Sequence, residues 1–274
     1  MLVIFFILLR EGMEAALIVG IVATFLKQSH LERYLPKMWL GVISAGVLCA
    51  VAGFLIHYII GEFPQKQQGI ISGCIALFAV AMLTYMILWM KKAARHMKKN
   101  LENSVNAAIH GHDETHASWA LCGMAFLAVV REGTETVFFI LAAAQNIRSW
   151  EVISGGVLGL MVAAIVGWLI YEGGVRINLA KFFRWTGVFL IIVAAGLLAV
   201  AFRNFHNAGW WNIGQTQIAD WSGFMRESST IGTIMHGFFG YTEHPTFSDF
   251  FFWIAYLIPV LYLFLRNTST SKTA

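Results

Sequence analysis

The sequence predicts an all-α integral membrane protein of seven transmembrane helices, with the N-terminus outside the cytoplasm and the C-terminus inside. Three observations carry that prediction. Hydrophobic residues make up 58% of the 274-residue chain and charged residues 12%, against the roughly 25% charged residues of a soluble domain. Apolar runs long enough to cross a bilayer recur seven times. Lysines and arginines gather in alternate connections between those runs.

The first run, 1–26, meets its first charge only at Arg10, and apolar sequence resumes after Glu14. It lacks the basic start and cleavage site of a signal peptide and is expected to stay in the mature chain. Further runs follow at 38–60, 69–90, 118–145, 153–175, 185–203 and 247–265. At a rise of about 1.5 Å per residue, runs of about 20 residues match a hydrocarbon core roughly 30 Å thick. Trp39, Trp89, Trp119, Trp150, Trp185 and Trp253 fall near run ends, at the headgroup level that indole rings favour.

The expected organisation is a three-helix repeat (1–90), a cytoplasmic basic and histidine-containing connection (91–117), a second three-helix repeat (118–203), an extracytoplasmic loop (204–246), and a seventh helix with a small, polar C-terminal tail (247–274). Thirteen Lys and Arg then lie on the inner side and only Lys66, Arg148, Arg203 and Arg226 on the outer. The net charge of +4 and pI near 9.0 come from these blocks and set orientation, so no nucleic-acid partner is expected. The run from Lys91 to Lys99 suits anionic headgroups of the lipid bilayer. Cys49, Cys74 and Cys122 sit singly in apolar runs, which points to buried small side chains rather than a disulfide or thiolate site.

The chain also repeats itself. Arg10-Glu11-Gly12-Met13-Glu14 on span 1 returns as Arg131-Glu132-Gly133-Thr134-Glu135 on span 4. With three spans between them, the copies cross in opposite directions, so spans 1–3 and 4–6 are expected to form inverted repeats, whose interface near the midplane is where transporters bind cargo.

Six ionisable groups at mid-membrane would cost on the order of 15–20 kcal/mol if unpaired, at about 2.5–3.5 kcal/mol each. Arg10 can meet Glu14, and Arg131 can meet Glu135, at a spacing of four. Glu11 and Glu14, like Glu132 and Glu135, project from one helix face. If spans 1 and 4 face each other, with Gly12 and Gly133 allowing close approach, four carboxylates converge. Such oxygen donors suit Mg²⁺, Ca²⁺, Mn²⁺ and iron, whereas zinc sites usually include His and soft metals call for Cys or Met. Four glutamates and two arginines leave a formal charge of −2, which a divalent ion neutralises. The bland reading, ion pairs tying helices together, needs only one pair and does not explain two copies of the cluster.

At these residues the chain resembles the oxidase-dependent iron transporter (iron permease) family, most closely its bacterial branch. The likeness runs over nearly the whole chain and rests on two Arg-Glu-x-x-Glu motifs in a seven-span protein and on Gly61-Glu62-Phe63-Pro64-Gln65-Lys66. The resemblance implies import of Fe²⁺ or Fe³⁺ across the plasma (bacterial inner) membrane. It implies Glu11, Glu14, Glu132 and Glu135 as metal residues, with Arg10 and Arg131 as their ion-pair partners. Iron is then transported substrate, and no cofactor is permanently bound. The implied partners are an oxidase that hands over Fe³⁺ in the fungal branch, or an extracytoplasmic iron-binding protein and a haem peroxidase in the bacterial branch. The outer connection departs from the fungal pattern, with only Asp220, Glu227 and Glu243 in place of a compact acidic motif.

Secondary candidates flank the membrane. Glu62, Glu243 and His244 are candidate entrance residues, with His206 and His236 nearby in sequence; solvated turn residues are the plain alternative. On the inner side His110, His112, Asp113, Glu114 and His116 form an exit candidate, against which stands a polar loop broken by Gly111. Two rival functions stay open at this point. Carboxylates serve Mn²⁺ as well as iron, and clustered glutamates also occur in di-iron enzymes, although the Glu-x-x-His pairs of such bundles are missing here.

Overall fold

A computed structural model of the chain describes residues 1–61, 63–93, 114–144, 149–171, 179–223, 226 and 229–266. Among them run eight α-helices: α1 Leu2–Gln28, α2 Leu35–Gly61, α3 Gln65–Ala93, α4 Glu114–Ala143, α5 Ser149–Tyr171, α6 Leu179–Asn207, α7 Thr230–Phe239 and α8 Phe247–Arg266. Seven of them coincide, within a few residues, with the apolar runs. In hydrocarbon each backbone N–H and C=O must be satisfied within its own segment, so a long apolar run becomes a helix. Pro36, which has no N–H to donate, falls in the first turn of α2, where a helix loses nothing by it.

Five helices are long and apolar enough to cross a membrane: α2 with the 3₁₀ turn before it, α3, α5, α6 and α8. Helices α1 and α4 have the length, at 27 and 30 residues, but each carries an Arg and two Glu within it, and those charges set it apart from the other five. The chain is an all-α, multi-pass membrane protein. Its outer surface is apolar, as lipid solvation requires: Ile43 and Phe54 of α2, Ile153 and Trp168 of α5, and Ile258 and Tyr262 of α8 are all exposed.

The packing follows a pattern. Helix α1 packs along α5, α2 along α4, and α3 along α6, while α1 also meets α4 directly. The first two pairs are built alike. A Cβ on Gly155 would strike the Met1 carbonyl, and one on Gly41 the Cys122 carbonyl; a Cβ on Gly167 would meet Ala16, and one on Gly53 would meet Val137. Met1 and Cys122 are 121 positions apart, as are Ala16 and Val137, and as are Arg10 and Arg131. Gly41 and Gly155 are 114 apart, as are Gly53 and Gly167. Small residues thus let the backbones close at equivalent levels of both pairs.

The long connection after α6 holds a helix that its polar and glycine-containing sequence did not announce. Ser229 caps α7 by accepting from the Gly232 N–H at 2.9 Å, and the helix stops at Gly240, whose φ of +69° only glycine adopts without strain. Phe238 of α7 is buried against Phe189 of α6, and Phe6 of α1 meets Phe189 at a tilt, so α7 packs onto α6 and α1. Arg203, at the end of α6, donates to the Gly240 carbonyl at 3.0 Å and pairs with Asp249 of α8 at 3.2 Å. Asp249 in turn accepts from the Thr246 N–H at 3.0 Å, a capping box that starts α8. Thr246-x-x-Asp249 was the available sequence signal for it. Cys122 is buried as expected, but Cys74 is exposed, because it shares the outer face of α3 with Phe78 and Tyr85; all three cysteines are free thiols.

Candidate functional site

Both Arg-Glu-Gly-x-Glu motifs lie well inside their helices, and α1 and α4 bring them together. The spacing of three puts Glu11 beside Glu14 and Glu132 beside Glu135. All four glutamates are buried, at 2%, 6%, 6% and 8% exposure in that order. One carboxylate oxygen from each of Glu11, Glu132 and Glu135 lies within 4.8 Å of the other two. An ion centred among three such corners sits at most about 2.8 Å from each, a small side-chain rotation away from the roughly 2.3–2.6 Å of a Ca²⁺–oxygen bond or the about 2.0–2.1 Å of Mg²⁺. Among the described residues this is the one group of three or more potential His, Cys, Asp or Glu ligands.

The hydrogen bonding of the centre is incomplete. Glu11 Oε2, Glu14 Oε1, Glu132 Oε2 and Glu135 Oε2 are buried with no hydrogen-bond partner. Native interiors rarely leave acceptors in that state, and charged ones least of all. Three carboxylates this close also repel one another, and a cation among them removes both penalties.

The arginines differ. Arg10, 4% exposed in its side chain, donates through Nη1 to Glu11 Oε1 and brings Nη2 to 2.7 Å from Glu14 Oε1, an ion pair without hydrogen-bond alignment. Its Nη1 also reaches Met86 Sδ of α3 at 3.1 Å. Arg131, 48% exposed, holds Glu135 Oε1 only at 3.5 Å through Nε, with its guanidinium 4.9 Å from the centre of the Trp89 ring. Met86 and Trp89 are three apart on α3, so one helix touches both motif arginines. Neither residue was singled out as a site residue from the sequence, where nothing distinguishes them from other apolar residues of the span.

The glycines act differently from expectation. A Cβ on Gly12 would lie 2.8 Å from Ala163 of α5, and one on Gly133 would lie 2.6 Å from Cys49 Sγ of α2. They admit α5 and α2, not each other's helix. The reason is helical rotation: with Glu11 and Glu132 turned toward the α1–α4 contact, the next residue points about 100° away. Cys49 and Ala163 are 114 positions apart, in step with the glycine pairs above.

Among the described residues, the flanking candidates do not join this centre. His244 binds Gln217 Nε2 at 3.0 Å and lies 3.6 Å from Asp220, whose carboxylate is held below its ordinary range by hydrogen bonds from Ser222. Nδ1 of His206 contacts the Trp211 carbonyl oxygen, and Nδ1 of His236 that of Tyr241. Glu243 is half-buried in the same segment between α6 and α8, and His116 is exposed at the start of α4. Glu62, His110, His112 and Asp113 lie outside the described residues.

Lipid-length helices around a buried cluster of carboxylates define a multi-pass membrane protein with a charged centre among its helices. The chain belongs to the iron permease FTR1 family, whose sequence profile matches residues 1–273. It is 46% identical to the ferrous iron permease EfeU of Escherichia coli O6:K15:H31 (strain 536 / UPEC), over 100% of this chain and 99% of that protein. Similar figures hold for the ferrous iron permeases EfeU of Shigella sonnei (strain Ss046), at 46% over 100% and 99%, and of Yersinia pestis, at 45% over 100% and 98%. No solved structure matches the chain. Membership in a family of permeases makes this a transporter and sets aside the di-iron enzyme.

Proposed function

We propose that this chain imports iron, as Fe²⁺, across the plasma (bacterial inner) membrane through a centre formed by Glu11, Glu14, Glu132 and Glu135. The observation that carries the reading is the approach of Glu11, Glu132 and Glu135 to within 4.8 Å of one another, each with a buried, unpartnered oxygen. Glu14, held by Arg10, stands beside the trio as a fourth carboxylate for the ion to meet as it moves. The formal charge of −2 and the ferrous substrate in the relatives' names both support Fe²⁺ over Fe³⁺.

The wider architecture belongs to the same reading. Seven spans run N-out to C-in, counting α1 and α4, with 1–90 and 118–203 as inverted repeats, 91–117 and 204–246 as inner and outer connections, and 247–274 as the added helix and tail. The matched pairing of α1 with α5 and of α2 with α4, at constant offsets of 121 and 114, supports the inverted repeat. Exchanging α1 with α4 and α2 with α5 converts one pair into the other. Iron passes as substrate and no cofactor stays bound. An extracytoplasmic iron-binding protein and a haem peroxidase or oxidase supply the ion, with Glu62, Glu243 and His244 on the way in and His112 and His116 on the way out.

The test is iron uptake by metal-depleted cells, and by liposomes containing purified protein, for wild type, Glu14→Ala and Glu135→Ala. Near-complete loss in both variants, with normal membrane insertion, is expected. Wild-type uptake in either variant contradicts the paired-motif centre. Equal Mn²⁺ transport in liposomes, combined with normal iron import in cells lacking the protein, makes Mn²⁺ the cargo instead.

A further inference from the structure

Arg10 Nη1 touches two groups at once: the Glu11 carboxylate and, at 3.1 Å, the sulfur of Met86. Met86 is 2% exposed and lies in the principal core cluster with Leu83 and Ile87. A thioether is a weak, neutral acceptor, yet four buried carboxylate oxygens of the same centre have no hydrogen-bond partner. Sulfur therefore shares the Arg10 guanidinium with the Glu11 and Glu14 carboxylates.

That placement bears on selectivity. Carboxylates alone suit Mg²⁺, Ca²⁺ and Mn²⁺ as readily as iron, and a thioether shifts preference toward softer ions. A cation bound by Glu11 and its neighbours weakens the hold of those carboxylates on Arg10 and repels the guanidinium. When Nη1 withdraws, Met86 Sδ and Glu11 Oε1 both face the position it leaves.

We propose that Met86 is a specificity-determining ligand, whose sulfur joins the glutamates around the ion and favours Fe²⁺ and softer divalent ions over Mn²⁺, Mg²⁺ and Ca²⁺. The assignment rests on the carboxylate centre being the transport site. It requires no proton or electron transfer, only the exchange of an arginine contact for an ion contact.

The experiment uses the full chain in proteoliposomes holding a metal-quenched dye, with ascorbate-reduced Fe²⁺ as the transported ion and Cd²⁺ and Mn²⁺ as competitors. Met86→Leu keeps the side-chain bulk and removes the sulfur; Met86→Cys returns a soft donor. In Met86→Leu the Fe²⁺ flux falls and the preference for Cd²⁺ over Mn²⁺ drops about tenfold, and Met86→Cys regains that preference. Cadmium-edge X-ray absorption of purified, Cd²⁺-loaded wild type shows a sulfur neighbour that Met86→Leu lacks. A pure packing role moves neither readout. An unchanged Cd²⁺ to Mn²⁺ preference in Met86→Leu, or no sulfur neighbour in wild type, overturns the assignment, and the wild-type spectrum decides alone if Met86→Leu fails to insert. Wild-type flux that survives Glu135→Ala overturns the reading of the centre itself.

Discussion

The two motifs share their pattern of Arg, Glu, Gly and Glu, but their arginines live in different surroundings. Arg10 is enclosed, with Glu11, Glu14 and Met86 around it; Arg131 is about half exposed, with one long contact to Glu135 and the Trp89 ring. The cause is the neighbours. Arg10 is turned toward the buried side of α3, whereas Arg131 follows Leu127 and precedes Thr134 on an exposed strip of α4. A repeated motif therefore makes one enclosed half and one half-exposed half.

The largest effects are expected where the halves meet. Glu11→Gln, Glu132→Gln and Glu135→Gln remove a charged ligand from the trio with little change of shape. Each is expected to lower iron flux by more than about 100-fold, beyond the 10–100-fold typical of lost outer-shell partners. Liposome flux measures it, and a Gln variant near wild type removes that residue from the centre.

The arginines test the asymmetry directly. Arg10→Ala leaves two buried carboxylates unpaired and is expected to destabilise the protein by about 3–5 kcal/mol. Arg131→Ala breaks a longer pair with one buried partner and is expected to cost less than Arg10→Ala. Thermal unfolding in detergent compares them, and equal losses would mean that the two motifs are equally enclosed.

Effects smaller than that of Arg10→Ala are expected at the glycines. In Gly12→Ala the new Cβ meets Ala163 Cβ, which is fixed to the α5 backbone, so overpacking of about 1–3 kcal/mol is expected. In Gly133→Ala it meets Cys49 Sγ, which can rotate, and the gain in helix propensity of up to about 1 kcal/mol offsets part of the strain. Adding Cys49→Ala should relieve Gly133→Ala further. The same melting assay reads these differences, and a milder Gly12→Ala would reverse the order.

Much of this was legible in residue order. Seven of the helices followed from apolar length, and the glutamates of the centre from charges that apolar spans otherwise exclude. Helix α7 was not, because ten residues are too few for a span and Phe238 is buried through contact with α6 and α1. The glycines misled because a motif shows which residues share a helix but not which neighbour each one faces.

By itself the sequence determined a helical membrane chain with two acidic motifs, since both follow from the cost of exposing polar groups to lipid, which is met residue by residue. Tertiary structure alone decided that Glu11, Glu132 and Glu135 share one point, that α3 touches both arginines, and that only one arginine is enclosed. Those outcomes depend on helix rotation and on neighbours far away in the chain, and a change of about 100° per residue turns a side chain from the centre to another helix or to lipid.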